Sequence, residues 1–510
     1  MQHDTRLPSS PRCDVLRLHL WRRGTRHSLH LAVGLLGLLG LFGLPVRSAG
    51  ASPRPTHTLE HHAKKQPEPS WERSATPITG KAAYQFPGIK PPSRAALAAS
   101  VTYTTCVTVP ALEKAYRVSP LFKAKRHPIT GKGVTVAIVA PGNPTQLATD
   151  LNVFDKAYRL PAPPKLSIVT FGNGPAFTPH TTTGAGTGTQ GTAATAWDTT
   201  LTGMVEYVHA MAPGASLLVV ETPVFSGGET VTGLGRTLAA DRWVLDPRAK
   251  HPRAQVLLQG TLGVPEPTMR SRVDSLNSVF AVARTRRVTV VARIGTVNYK
   301  TTDAPMFPGS SPLVTAVGIA SLPGPTVSTV AISATTAART GARPVNTRGS
   351  ASLVFPPPSW QTAIIKEPTG GLVTPAGRDG PDISMEGTTY VLAYVSGLGR
   401  GRGWTTWRYA SAPALFAGVV ALADEAAARP LGDITPSLYA VAKLRQGGVV
   451  DITNYASTTI STTIGRGQTL SLPTTGGFMT PGYNTVSGLG TVDNVGTFIR
   501  ALTTYLASRR

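Results

Sequence analysis

The stretch that decides the fold covers residues 197–215 and reads Trp197-Asp-Thr-Thr-Leu-Thr-Gly-Met-Val-Glu-Tyr-Val-His-Ala-Met-Ala-Pro-Gly-Ala215. Positions four apart on a helix differ in direction by about 40°, so Thr200 and Met204 would face the same side. The two acids of this stretch, Asp198 and Glu206, are eight residues apart. On an ideal helix this spacing separates them by roughly 80° in direction and 12 Å along the axis. These two acids therefore cannot act as a close pair on one helix.

Apolar runs on both sides of this stretch predict a parallel sheet. The glycine-led run Gly131–Ala140 has the pattern of a strand buried on both faces, and a helical segment follows at Leu147–Tyr158. Further buried strands are predicted at Ser216–Glu221, Ala254–Gln259 and Val288–Ala292. This alternation predicts an α/β fold with a doubly wound, mostly parallel sheet and helices on both faces.

A long apolar segment from Tyr409 to Ala428 predicts a helix through the core. It is long enough to resemble a membrane span. Asp424, Glu425 and the alanine content favour a buried helix instead.

The amino-terminal residues predict an exported protein. Residues 1–51 contain Arg17, Arg22, Arg23 and Arg26, then an apolar run from Leu31 to Leu44 and the small residues 49–51, which is the pattern of a cleaved signal peptide. An uncleaved membrane anchor is the alternative. We therefore expect a secreted or cell-surface protein. Residues 52–100, rich in Pro, Lys, His and Ser, are interpreted as a linker, and residues 101–510 as the globular domain.

The chain is strongly basic, with 50 Lys and Arg against 26 Asp and Glu and a formal net charge of +24. Such a surface attracts anionic polymers through long-range attraction that salt screens. The basic residues lie in small clusters at 123–127, 284–287 and 400–408, without the interleaved aromatics of a nucleic-acid motif. We therefore expect a generally cationic surface rather than a dedicated nucleic-acid site. The sequence predicts no oligomeric state.

Several other enzyme classes lack their sequence signatures. The chain contains no G-x-S-x-G elbow, P-loop, H-E-x-x-H or paired C-x-x-C motif. Cys13 lies in the predicted signal, so Cys106 would be the single thiol of the exported chain and is interpreted as a buried apolar residue. His209 is interpreted as a packing residue.

Residues 197–215 resemble the signature helix of the sedolisins, the serine-carboxyl peptidases of subtilisin-like fold. Further segments follow in the order of that family: Gly131–Pro144, Ser310–Gly318, Gly380–Ser384, Gly432–Tyr439, Asp451–Thr453 and Pro481–Gly490. The resemblance covers roughly residues 101–510 and implies a subtilisin-like fold.

The resemblance also implies a degenerate catalytic site. Sedolisins use a serine whose proton passes to a Glu that is hydrogen-bonded to an Asp, and a second Asp stabilises the oxyanion. Here Thr200 stands at the Glu position, Met204 at the Asp position, Thr296 at the oxyanion Asp and Ala410 at the serine. None of these four side chains supplies the chemistry of the residue it replaces. Sedolisins also carry a folded propeptide, which residues 52–100 are too few and too polar to form.

The resemblance therefore implies an exported protein that has lost peptidase activity and binds peptides, proteins or surfaces. The alternative is an active peptidase with a displaced site, in which Ser411 is the nucleophile and Glu206 or Asp198 the base. Ser411 lies one residue after the position of the family's serine, which is Ala410 here. One residue on a helix corresponds to a rotation of about 100°, so the Ser411 hydroxyl would point away from the serine position. Glu206 matches a family position outside the catalytic set, so we expect it to have a structural role.

The family's calcium site is only partly retained. Asp451 and Ile452 match its first two ligands and Gly482 matches a backbone ligand, but Asn484 replaces an Asp and Thr480 replaces a Gly. Losing one carboxylate weakens a site for a hard cation. We expect weak calcium binding, with an empty site as the alternative.

Overall fold

A computed structural model describes residues 77–78, 108–171, 189–223, 231–261, 263–269, 271–299, 302–320, 330–331, 351–365, 377–387, 391–396, 403–407, 410–444, 447–452, 454–455, 459–464, 468–473, 483, 485 and 487–509. The predicted signal and most of the predicted linker lie outside these residues, as do Cys106 and the calcium candidates Gly482 and Asn484.

Ten α-helices are present in the described residues. They are α1 Val109–Ala115, α2 Ser119–Phe122, α3 Leu147–Tyr158, α4 Thr189–Met211, α5 Val231–Leu245, α6 Val273–Thr285, α7 Ser359–Ile365, α8 Ser411–Ala426, α9 Thr435–Ala442 and α10 Val495–Ala507. A short 3-10 helix covers Glu266–Thr268.

The strands are β1 Pro77–Ile78, β2 Thr135–Pro141, β3 Leu166–Phe171, β4 Ser216–Thr222, β5 Val256–Gln259, β6 Val264–Pro265, β7 Thr289–Arg293, β8 Thr296–Tyr299, β9 Thr302–Phe307, β10 Thr315–Ala320, β11 Val330–Ala331, β12 Ile383–Glu386, β13 Val391–Tyr394, β14 Trp404–Trp407, β15 Val449–Val450, β16 Asn454–Tyr455, β17 Thr459–Ile464, β18 Gln468–Pro473 and β19 Thr491–Val492.

One ten-stranded sheet organises the domain, with the order β1-β3-β4-β2-β5-β7-β10-β12-β19-β15. Neighbouring strands from β3 to β19 are parallel, while β1 and β15 pair antiparallel at the two edges. The chain reverses its lateral direction across this sheet, because β2 lies between β4 and β5. The predicted doubly wound, mostly parallel sheet is confirmed.

Strand β2 shows why the apolar runs predict buried strands. Val136 and Ile138 belong to one hydrophobic core, whereas Ala137 and Val139 belong to a second core. Successive side chains of a strand point to opposite faces, so a strand with a core on each side is apolar at every position.

Helices cover both faces of the sheet. The first core contains side chains of α1, α3, α4, α8, α9 and α10, and the second contains those of α5 and α6. The predicted helix Leu147–Tyr158 is confirmed at both ends. The predicted strand beginning at Gly131 starts only at Thr135, because Gly131 and Gly133 have positive φ values of 89° and 81°. The predicted core helix Tyr409–Ala428 is observed as Ser411–Ala426.

Helix α8 is almost entirely buried and packs closely on α4. The close approach depends on Gly418, because a Cβ there would lie 2.5 Å from the Met211 Cβ and 3.2 Å from the Val208 carbonyl oxygen. Among the described helices, none is long and apolar enough to cross a membrane.

We expect Gly418→Ala to lower the free energy of unfolding by about 1–3 kcal/mol, because a methyl group would be forced into this contact. Gly496→Ala is a matched control on α10, where the added Cβ would lie 3.4 Å from Leu121 and alanine favours the helix. Urea unfolding followed by circular dichroism measures both variants. Equal stability of Gly418→Ala and the parent chain would contradict the close helix contact.

Candidate functional site

Helix α4 carries the first two positions of the predicted catalytic set. Thr200 is half-buried, and its hydroxyl donates to the Ala196 carbonyl at 2.8 Å, one turn back in the same helix. The Thr200 hydroxyl proton is therefore already used in a hydrogen bond to the helix backbone, which is a common arrangement for threonine in helices.

Met204 is buried, with an exposed fraction of 2%, and belongs to the first core. Its Sδ lies beside Gly260, the residue after β5: a Cβ on Gly260 would be 2.8 Å from that sulfur and 2.6 Å from the Ala140 Cβ. An unbranched thioether fills such irregular space between a helix and strand ends. The position that the resemblance gives to a catalytic acid therefore packs as core.

The position that the resemblance gives to the nucleophile lies where α8 begins. Ala410 is the N-cap residue and is 3% exposed, and Ser411 is the first helical residue and is fully buried. The Ser411 hydroxyl donates to the Glu386 carbonyl oxygen at 3.0 Å, at the end of β12. A displaced nucleophile would need a hydroxyl that the substrate can reach, and the Ser411 side chain is buried.

Thr296, at the oxyanion position, is the first residue of β8 and pairs with Pro305 of β9. The structure describes its backbone but not its side chain. The sequence placed it after a buried strand, and β7 does end three residues earlier at Arg293.

The two acids of the alternative mechanism lie in different environments. Asp198 accepts a hydrogen bond from the Asn143 backbone N–H at 2.7 Å, just beyond the end of β2. Glu206 is fully buried, and its two carboxyl oxygens lie 3.2 and 3.1 Å from the Tyr394 backbone N–H on β13. The structural role expected for Glu206 fits this geometry.

Glu221, a buried acid near Asp198, was not among the residues predicted from the sequence. It accepts a hydrogen bond from the Thr170 hydroxyl at 2.8 Å, near the ends of β3 and β4. Burial, together with the charge of Asp198, raises the pKa of Glu221 to about 7. Glu221 ends the predicted strand Ser216–Glu221, and in α/β proteins ligands bind at the carboxyl ends of the parallel strands. That position could have marked it as a candidate site residue.

Glu206 belongs to a buried polar cluster that the sequence did not predict. We call it the α3–α4 acid cluster: Asp150, Asp155, Glu206 and His209. Asp150 Oδ2 accepts from the Ser396 backbone N–H at 3.2 Å. Asp150 and Glu206 thus hold two neighbouring amides of one segment from two different helices.

His209 completes the cluster. Its Nε2 lies 2.8 Å from the Pro161 carbonyl oxygen and 3.4 Å from Asp155 Oδ1. Three polar atoms of the cluster have no hydrogen-bond partner among the described residues: Asp150 Oδ1, Asp155 Oδ1 and His209 Nδ1. Neutral groups tolerate such burial far better than charged groups.

The pKa values follow from this burial. Burial raises the pKa of Asp150 to about 6 and of Asp155 to about 8, and it lowers the pKa of His209 to about 4. Burial also raises the pKa of Glu206 well above its usual value, with further increases from the charges of Asp150 and Asp155. At neutral pH the contact between Asp155 and His209 therefore joins largely neutral groups.

The calcium candidates are only partly described. Ile452 is fully buried and Asp451 half-buried, directly after β15 at the edge of the sheet. Among the described residues, no group of three or more His, Cys, Asp or Glu side chains could hold a metal ion.

Comparisons with known proteins agree with this fold. No protein-family model matches the chain. The chain is 29% identical over 245 residues to kumamolisin from Bacillus sp. (strain MN-32), a match that covers 46% of this chain and 41% of kumamolisin. The solved structure of Pseudomonas sedolisin, a serine-carboxyl proteinase complexed with two molecules of pseudo-iodotyrostatin, matches with a TM-score of 0.55 and 20% identity, covering 79% of this chain and 98% of that one.

The sheet order, the helices on both faces and the structural match define a subtilisin-like α/β fold. Within that fold class, the fold is sedolisin-like: the chain is similar in sequence to kumamolisin over the matched region and in fold to Pseudomonas sedolisin. The matched region spans less than half of the length of kumamolisin.

We expect the free energy of unfolding to fall as pH rises from about 6.5 to 8. An acid whose pKa is raised in the folded state binds more protons when folded, so its contribution to stability is lost as pH rises through the folded pKa. His209, with a lowered pKa, has the opposite effect, but only between about 4 and its unfolded value of about 6.5. One such acid changes stability by up to about 1.4 kcal/mol per pH unit.

Urea unfolding at pH 6.5 and pH 8 measures this slope. Asp155→Asn should make it shallower but not flat, because burial also raises the pKa of Glu221, Asp241 and Asp424 to about 7 or 8. Asp246→Asn, which changes an exposed acid, should leave it unchanged. Stability that stays constant or rises over this interval would contradict the protonated cluster.

Proposed function

We propose that this chain is a sedolisin-like pseudopeptidase that binds extended peptide or protein ligands. The observation that carries the proposal is Met204, a core side chain at the position of a catalytic Asp. A thioether neither accepts nor donates a proton at any pH of biological interest, so the relay from serine to Glu to Asp lacks its last member.

The start of α8 supports the same conclusion. Ala410 has no nucleophile, and the neighbouring Ser411 hydroxyl is buried and donates to a backbone carbonyl rather than to a base. A nucleophilic serine needs a base within hydrogen-bond reach and access to the substrate.

A peptide ligand is the natural partner for such a fold. Clefts beside parallel strands can hold an extended peptide by backbone hydrogen bonds along strand edges, without any catalytic side chain. Fold and activity separate at the site, so loss of the catalytic set need not remove binding.

The rival proposal is an active peptidase with Ser411 as nucleophile and Asp198 or Glu206 as base. The geometry disfavours it, because Glu206 binds the Tyr394 amide and Asp198 the Asn143 amide. Labelling of Ser411 by a serine-directed covalent probe would support the rival.

We further propose export to the cell exterior, on the strength of the arginines and the apolar run within residues 1–51. There the basic surface would also attract anionic polymers, with an affinity that falls as salt rises.

The purified chain should cleave no peptide substrate between pH 3 and 8. A variant with Thr200→Glu, Met204→Asp, Thr296→Asp and Ala410→Ser should gain activity, since loss of such residues costs about 10⁴-fold or more in rate. Cleavage of a fluorogenic peptide library measures both proteins.

The matched control carries the first three changes and keeps Ala410, so it has the acids without the nucleophile and should stay inactive. Thermal unfolding confirms that each variant is folded. Turnover by the natural chain at rates typical of peptidases would overturn the proposal, whether or not the variant gains activity.

We also propose weak calcium binding through Asp451 and the Ile452 carbonyl, with Gly482 and Asn484 completing the site. The donor set fits a hard cation, because carboxylate, amide and carbonyl oxygens are calcium's usual ligands. A single carboxylate supplies little charge, so the affinity is low.

Asn484→Asp should tighten calcium binding by about tenfold, or ~1.4 kcal/mol, because it adds a second carboxylate. Isothermal titration calorimetry with CaCl₂ measures the change. Asp451→Asn should abolish binding in the parent chain, and in the Asn484→Asp background it should return the affinity to about that of the parent, because one carboxylate remains. Calcium binding that survives Asp451→Asn in the parent chain would place the ion elsewhere.

A further inference from the structure

A surface groove lies where the first and last described helices meet. The Val495 backbone N–H donates to the Tyr116 carbonyl oxygen at 3.0 Å and joins α10 to the end of α1. The groove beside this contact has a volume of about 660 Å³. We call it the α1–α10 groove and define it by the lining residues Lys114, Arg117, Pro120, Leu121, Gly496 and Arg500.

The groove carries an excess of positive charge. Lys114, Arg117 and Arg500 are exposed around it. The acid in its lining is Glu113, whose carboxylate accepts the Ser119 hydroxyl at 2.8 Å. The amino-terminal end of α10 also opens here and adds the positive end of a helix dipole. The groove therefore has three basic side chains and one acidic side chain, and the acidic one is already hydrogen-bonded to Ser119.

The chain segments around the groove extend this charge. Residues 114–126 contain five Lys or Arg and no Asp or Glu, and residues 493–510 contain three Arg and one acid, Asp493. Lys123, Lys125 and Arg126 are exposed next to α2. A negatively charged partner would thus meet an attractive field before it reaches the groove.

One part of the lining is apolar. Pro120 is exposed and Leu121 half-buried, and the latter lies close to Gly496: a Cβ on that glycine would be 3.4 Å from Leu121 Cδ2. None of the described residues that line the groove is aromatic, so they offer no surface for the base stacking by which proteins bind single-stranded nucleic acids. The occupant that fits therefore carries both carboxylates and an apolar group.

We propose that the α1–α10 groove docks an acidic peptide segment, with carboxylates paired to Arg117, Arg500 and Lys114 and an apolar side chain against Pro120 and Leu121. Arginine suits this role because its guanidinium can bind a carboxylate through two parallel hydrogen bonds. The groove is built from residues outside the predicted catalytic set, so this docking does not depend on whether the chain is a pseudopeptidase.

The probe is a fluorescein-labelled peptide of alternating Glu and Leu, and fluorescence anisotropy measures its binding at low and at high salt. Arg117→Gln with Arg500→Gln should weaken binding by about tenfold, the change expected from losing roughly two surface ion pairs. Gln is chosen over Gly at position 117 because Arg117 has a φ of 52°, and glycine would change the stability of that turn.

The matched control is Arg248→Gln with Arg253→Gln, which removes the same charge from exposed residues elsewhere. Its affinity for the peptide should stay within about threefold of that of the parent chain, because distant surface charges act only weakly through salt-screened attraction. Arg117→Lys with Arg500→Lys keeps the charge and should retain most of the salt-dependent binding. Circular dichroism confirms that each variant is folded.

Two further probes decide the kind of partner. A peptide with Gln in place of Glu should not bind, and one with Ser in place of Leu should bind more weakly than the parent peptide. Equal losses in the two pairs of Gln variants would overturn the proposal in favour of a diffuse charge effect. Inorganic polyphosphate that binds as tightly as the peptide, with the same dependence on Arg117 and Arg500, would overturn it in favour of a phosphate polymer.

Discussion

The close packing of α8 on α4 is the constraint on which the rest of the domain depends. Both helices carry positions of the candidate site, and Gly418 brings their backbones together against Met211. Because helices are stiff, the close approach of Gly418 to Met211 also sets the position of the start of α8, next to Ala410, relative to the middle of α4, which carries Thr200 and Met204. A subtilisin-like fold can therefore hold its site geometry through apolar contacts alone, whatever side chains occupy the site.

The same contact explains why a site can degenerate while the fold persists. Met204 sits in the first core and fills space beside Gly260 and Ala140, where a carboxyl would need a hydrogen-bond partner or a proton. An apolar residue at such a position adds to core packing. Methionine at this buried helix position is thus compatible with a stable fold, and an acid at the same position would lower stability, as functional groups in active sites commonly do.

The helices and strands that could be predicted from the sequence are those whose apolar pattern is local. Leu147–Tyr158 was found as predicted because its apolar spacing and its ends are local, and β2 was found because a strand with a core on each face is apolar throughout. The acid cluster was not predictable, because Glu206 and Asp150 bind amides of residues 394 and 396, which are far away in sequence. The Ser411 hydroxyl likewise finds its hydrogen-bond acceptor in another element, at the Glu386 carbonyl that ends β12, 25 residues earlier in the sequence.

Many of the chain's acids share one structural use. Glu425 Oε2 accepts backbone N–H groups of Thr130, Gly131 and Lys132, at the turn that leads into β2. Glu266 likewise binds the Leu353 amide, as Asp150, Asp198 and Glu206 bind amides of other distant segments. A carboxyl oxygen accepts a backbone N–H in either protonation state, and the bond is stronger where the group is ionised. These five acids hold loops to the sheet and helices, whereas the positions on α4 and at the start of α8 that the resemblance assigns to catalysis carry Thr200, Met204 and Ala410.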